Sequence, residues 1–200
     1  MSLQLEKNLI LELIPHFYSL GWMKFGSGNF CLKNNGYAIC VKDRVQRDFI
    51  TENDIVTFNL SNQSVTKDLV NWAYIFSWVL SNMDAVACIY STSVAAVGAS
   101  MYNEKFTTQS KEMIKGIPKG NPSAGYLCCF DTLEVPIIHN GDSKTILDEL
   151  KKVIELYPQT CAVLIRGHGV IGWGATWEKS KTQMECYEYL FELDYKLKTL

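Results

Sequence analysis

Leu9, Ile10, Leu13, Ile14 and Phe17 recur at three- and four-residue intervals, the spacing of one helix face, and the run stops at Gly21. Pro15 lies inside it, and its missing backbone donor predicts a kink or a restart at that point. The pattern then shortens to extended runs at 29–33, 37–42 and 55–59, with Asn34-Asn35-Gly36 as a hairpin signal between the first two. Thr66 is placed to cap a helix carrying Leu69, Val70, Ala73, Phe76 and Leu80. A buried strand at 85–90 leads through Ser91-Thr92-Ser93 into a small-residue helix at 94–101. Residues 103–110 read as a polar connection, 111–115 as a short helix and 116–125 as a Gly-, Pro- and Ser-rich loop. A strand at 133–138 precedes a helix capped by Asp142 or Ser143, with Ile146, Leu150, Val153, Ile154 and Tyr157 inward and Pro158 closing it. Strands at 161–166 and 170–173 flank Gly167-His168-Gly169, and a long helix over 177–197 ends the pattern. Hairpins first and strand–helix alternation later predict a mixed sheet with helices on both faces, as one α/β domain over 1–200.

Composition narrows the function classes. With 48% hydrophobic and 20% charged residues the chain has the make-up of a folded domain. A net charge of -2 leaves no electrostatic footprint for nucleic acid. Apolar runs such as 86–90 fall far short of the ~20 residues of a membrane span, and the N-terminus has no signal-peptide pattern. Seven cysteines are an odd number, no CxxC pair occurs, and Cys40, Cys88 and Cys161 lie in apolar runs. Reduced thiols and a cytoplasmic location are expected.

Candidate chemistry is sparse. Of three histidines, His16 belongs to the first helix and His139 to a loop, while His168 sits in a tight turn at a sheet end. That position suits a metal ligand or a general base, and equally a turn histidine without a role. Ser27-Gly28-Asn29 lets backbone N–H groups approach an anion, although any tight turn before a strand has the same look. Glu112, between Lys111 and Lys115, is a candidate acid/base or a solvated helix residue.

The segments FYSLGW, EMIKGI, TLEVPII, CAVLIRGHGVIGWG and TWEKSKTQMECYEYLFE resemble the methylthioribulose-1-phosphate dehydratases of the class II aldolase/adducin superfamily. They occur in that family's order and run over most of the chain. The resemblance implies a three-layer class II aldolase/adducin-like fold, with a mixed, mostly antiparallel central sheet flanked by helices. It implies a zinc-dependent lyase of methionine salvage working as a homotetramer on a small phosphorylated sugar. In the family three histidines hold zinc, two in a His-x-His pair and one in the GHG turn, and a glutamate moves protons. Glu112 matches that glutamate and His168 matches the GHG ligand; Lys115 and Gly116 match the motif without an assigned role.

The resemblance also marks departures. Tyr90 and Thr92 stand where the family has its His-x-His pair, so His168 is the sole retained ligand. A phenol and an alcohol offer zinc neither an unprotonated nitrogen nor a thiolate. Cys88 shares a strand face with Tyr90 but lies about 7 Å further back by strand rise. Trp72 replaces a family cysteine, and Lys42-Asp43-Arg44 replaces a Pro-Ser-Gly loop, with Lys42 and Arg44 able to attract phosphate beside Ser27, Gly28 and Asn29. Zinc is therefore expected to be absent or weakly bound here. Two functions follow: a pseudoenzyme acting as a binding or scaffold protein for an unidentified partner, as the adducin head does, or an active lyase with a rebuilt metal site.

Overall fold

The computed structural model describes residues 3–62, 70–102, 104–120 and 124–198. Helix α1 spans Gln4–Ser19 and buries Ile10, Leu13, Ile14 and Phe17, the stripe read from the sequence. The helix runs through Pro15 without a break, which corrects the expected restart at that point. Four buried apolar side chains hold the last turns on the sheet and outweigh one missing hydrogen bond.

Strands β1 (Asn29–Asn34), β2 (Tyr37–Val41) and β3 (Ile55–Asn59) form an antiparallel meander. Asn35 and Gly36 both take positive φ in the β1–β2 turn, as a two-residue hairpin requires. Helix α2 (Ala73–Asn82) starts after Trp72, so the cap expected at Thr66, and Leu69 with it, lie outside the described residues. Then come β4 (Ala87–Ser91), α3 (Val94–Ala99), β5 (Lys105–Gln109), a 3-10 turn over Glu112–Gly116, β6 (Thr132–Ile138), α4 (Ser143–Leu156), β7 (Ala162–Ile165), β8 (Gly169–Gly174) and α5 (Trp177–Lys198).

Strand β5 corrects the reading of 103–110 as a connection. It is an edge strand paired only to β6, so it buries Phe106 alone and its outward positions read as polar. The eight strands lie in the order β3-β2-β1-β4-β8-β7-β6-β5. Every neighbouring pair is antiparallel except β6–β7, which α4 connects. This is the mixed sheet that the alternating signals predict.

Strand side chains sort by parity onto two cores. Phe30, Leu32, Ile39, Val41, Ala87, Ile89 and Leu164 pack with α1, α3 and α5 residues such as Phe17, Ala96 and Phe191. Cys31, Cys40, Cys88, Tyr90, Val163 and Ile171 face the other way, against Phe76 and Leu80 of α2 and Leu150 of α4. Three layers result, because strands buried on both faces need cover on both. The parity also decides the site: neighbours on β4 end on opposite sides of the sheet.

Candidate functional site

A cavity of about 320 Å³ opens at one end of the sheet. Its walls come from five separated segments: the loop from Phe25 to Asn29, residues 43–47, Asn71-Trp72, Tyr90 at the end of β4, and His168 in the β7–β8 turn. The His168 N–H donates to the Ile165 carbonyl at 2.9 Å, which closes that turn. Gly169 is indispensable next to it. Its φ is +142°, and a Cβ there would lie 2.1 Å from the Ser91 carbonyl oxygen of the neighbouring strand.

His168 is surrounded by aromatic rings. The Tyr90 hydroxyl oxygen lies 3.1 Å from both Nδ1 and Nε2. Equal distances place it over the imidazole instead of along one lone pair. Trp72 stacks on Tyr90 with 3.8 Å between ring centroids and 13° between planes, and its ring lies 5.5 Å from His168. Burial pushes the Tyr90 phenol well above its ordinary value, while a hydrogen bond with the Ser27 side chain pulls it back and Asp43 adds a smaller upward push. The phenol therefore stays protonated. Burial lowers the pKa of His168, so the imidazole is neutral at neutral pH.

The charged rim is asymmetric. Arg47 is almost wholly buried and donates from Nε to the Gly28 carbonyl at 3.1 Å and from Nη1 to the Lys42 carbonyl at 2.7 Å. Asp43 accepts the Asn71 backbone N–H at 2.6 Å. Arg44 takes a positive φ of 60° and has no side-chain partner among the described residues. Two guanidinium groups against one carboxylate leave the cavity with a positive bias that suits an anion.

The structure thus brings together Ser27, Gly28, Asn29, Arg44, Trp72, Tyr90 and His168. It does not bring in the others. Asn29 lines the wall, but its amide is committed to the backbone: Nδ2 donates to Val41 O at 2.7 Å, and Oδ1 accepts from Phe30 N and Val41 N. The Lys42 ammonium turns away to the Asn53 carbonyl. Thr92 is not among the lining residues; its hydroxyl donates to Trp22 O at 3.4 Å, and its backbone N–H donates to the same oxygen at 2.8 Å. Glu112 is exposed outside the cavity, paired with Lys115 at 2.5 Å. Arg47 and Asn71 line the site without having been singled out from the sequence, because the irregular stretch around them carries no motif or period.

The donor set can be tested against the zinc that the resemblance implies. Catalytic zinc takes about three protein ligands. Around His168 stand a protonated phenol, an indole and a loop of small residues, none of them a good zinc donor. The one carboxylate of the cavity, Asp43, accepts the Asn71 N–H, so His168 and Asp43 together fall short of three ligands. No cluster of three His, Cys, Asp or Glu residues able to hold a metal occurs among the described residues. The residues present do not fit the zinc site.

The profile of the family described as Class II Aldolase and Adducin N-terminal domain matches residues 8–195. The chain belongs to that family. It is 37% identical over 204 residues to methylthioribulose-1-phosphate dehydratase of Gallus gallus, covering 96% of this chain and 83% of that protein. The Xenopus tropicalis protein of the same name is 36% identical over 202 residues, covering 96% and 84%. Among solved structures, L-fuculose-1-phosphate aldolase from Thermus thermophilus superposes with a TM-score of 0.75 at 16% identity, covering 98% of this chain and 97% of that one. A sugar-phosphate aldolase from Thermotoga maritima gives 0.60 at 13%, covering 96% and 94%. At such identities these two show the shared fold alone. The family member described here carries Tyr90, Thr92 and Trp72 in its own version of that fold.

Proposed function

We propose that this family member has kept the fold and an anion-binding cavity and has lost zinc-dependent dehydration. The observation that carries the reading is the Trp72–Tyr90–His168 stack, which surrounds the one remaining candidate ligand with neutral aromatic groups. Arg44, with backbone groups of the loop at Ser27 and Gly28, holds the phosphate of a small sugar, and Arg47 braces that loop through the Gly28 carbonyl. His168 acts as a hydrogen-bonding wall. The protein works as a cytoplasmic, single-domain binding or scaffold protein and assembles as a homotetramer, with Glu112 exposed on the surface.

The second reading is an active lyase on methylthioribulose 1-phosphate with a rebuilt metal site. It is favoured by 37% identity over nearly the whole chain to a protein of that name. In that case Glu112 moves the proton and must reach substrate from outside the cavity described here.

One experiment separates them. The protein is purified without chelator, zinc per chain is measured by elemental analysis, and dehydration is assayed with zinc added. The first reading expects far less than one zinc per chain and no turnover, together with phosphate-sugar binding that Arg44→Ala weakens. Stoichiometric zinc with turnover that disappears in His168→Ala overturns it.

A further inference from the structure

The seven thiols divide into two populations. Cys31, Cys40, Cys88, Cys161 and Cys186 are buried, whereas Cys128 is exposed and Cys129 half-buried. Burial pushes Cys31 and Cys88 well up, and it raises Cys161 to about 11. Those thiols are sealed in the sheet and behave as small hydrophobes. Cys128 and Cys129 stand outside both cores, as consecutive free thiols on one turn.

The turn that carries them is closed at both ends. The Asp131 N–H donates to the Cys128 carbonyl at 2.9 Å, and the Asp131 carboxylate accepts the Cys128 N–H at 2.8 Å. Lys119 lies 3.7 Å from the same carboxylate. Partial desolvation and the Cys128 thiol raise the Cys129 thiol, while the Lys115 ammonium acts in the opposite direction. Phe130, directly after the pair, is 80% exposed. An exposed apolar ring therefore follows an exposed and a half-buried thiol on one closed turn.

Two thiols in this arrangement are poorly placed for a disulfide with each other. Both are free thiols, and adjacent residues close a disulfide ring only by distorting the peptide between them. A larger atom bridging both sulfurs needs no such distortion. Harder divalent ions are not served, since two sulfurs alone give too few donors. Soft, thiophilic centres that accept two thiolates in an angular geometry are.

The geometry points to Cys128–Cys129 as a two-thiol capture site for trivalent arsenicals, with the organic group of the arsenical lying against Phe130. With phenylarsine oxide the arsenic–oxygen double bond is replaced by two As–S bonds. The oxygen leaves as water with the two thiol protons, and arsenic stays trivalent, so no oxidant or reductant is required. The preset turn makes the second sulfur's attack intramolecular, which strengthens binding by roughly 100-fold or more over a single thiol.

The test uses the reduced full chain with one equivalent of phenylarsine oxide, read by intact-mass spectrometry and by mapping of the modified peptide. One adduct per chain on the peptide holding both residues is expected, stable to excess glutathione and removed by 2,3-dimercaptopropanol. Cys128→Ser and Cys129→Ser should each weaken it by roughly 100-fold, whereas Cys161→Ser should leave it unchanged. Melting curves check that the serine variants fold. If they do not, brief alkylation of the native chain by iodoacetamide, confined to Cys128, must block the adduct. An adduct that survives either serine substitution or that alkylation, yields to glutathione, or maps to Cys31, Cys40 or Cys88 overturns the proposal.

Discussion

Tyr90 and Ser91 are consecutive on β4, yet they serve two opposite environments. Tyr90 points to the α2 side, where Trp72 and His168 enclose it in neutral rings. Ser91 points to the α5 side, where its hydroxyl and that of Ser93 both donate to the carboxylate of Glu188. Glu188 is the only buried acid among the described residues, and burial pushes it up to about 7, against the pull of the two serines and with a small addition from Glu192. Buried charge is thus partitioned by the sheet. The cavity that holds His168 has a single, half-buried acid at its rim, Asp43, and the one fully buried carboxylate lies across the sheet, tying α5 to the end of β4 and the cap of α3. A sheet two cores deep keeps the two sets apart.

The largest effect is expected from rebuilding donors on the Tyr90 side. Tyr90→His with Thr92→His should raise zinc from well below one to near one per chain by elemental analysis, provided the backbone at the end of β4 still presents both positions. A double variant that binds no more zinc than the parent would show that the end of β4 does not present positions 90 and 92 together to His168.

Removing Trp72 comes next. Trp72→Ala deletes a side chain that is 8% exposed and stacked on Tyr90, so a loss of about 3 kcal/mol in denaturant unfolding is expected, at the low end for a buried aromatic because one edge borders the cavity. A loss under 1 kcal/mol would mean that the stack contributes little to folding.

The Ser91 side predicts a pH dependence. The folded-state pKa of Glu188 is raised from 4.5 to about 7. The unfolded chain therefore releases this proton first as pH rises. The contribution is fully present below about pH 4.5, is lost between there and about pH 7, and is constant above. The loss is roughly 3 kcal/mol at ~1.4 kcal/mol per pH unit. Urea unfolding of the parent and of Glu188→Gln at pH 4.5 and 7.5 checks it: the variant should lack this component of the slope. Parallel slopes would place the titration elsewhere.

The smallest effect belongs to Glu112. Its ion pair with Lys115 joins side chains that are 73% and 52% exposed, so Glu112→Gln should change stability by less than about 0.5 kcal/mol. A larger change would give Glu112 a structural role that its position does not suggest.

Legibility followed the range of each interaction. The helix stripe of α1, the β1–β2 hairpin and the strand at the end of which Tyr90 sits are local patterns, and they were readable. Strand β5 was not, because an edge strand with one inward residue has too little alternation to show. Ser27, Gly28 and Arg44 line the cavity, whereas Lys42 and Thr92 lie just outside it because backbone direction after β2 and β4 turns their side chains away. Arg47 and Glu188 gave no signal, since an isolated charge reads as surface until its partners are known.

What the chain by itself determined is the two-faced parity of its strands, the helical stripes that cover them and the shortage of histidine: three in 200 residues, with none between His16 and His139. Those are properties of spacing and count, and no folding can change them. What only the tertiary structure decided is that residues 72, 90 and 168 share one stack while residues 91, 93 and 188 share a buried carboxyl on the opposite face. The physical reason is that periodicity is set by neighbours along the chain. Desolvation, and with it the protonation of Tyr90 and Glu188, is set by side chains that arrive from segments up to about a hundred residues away.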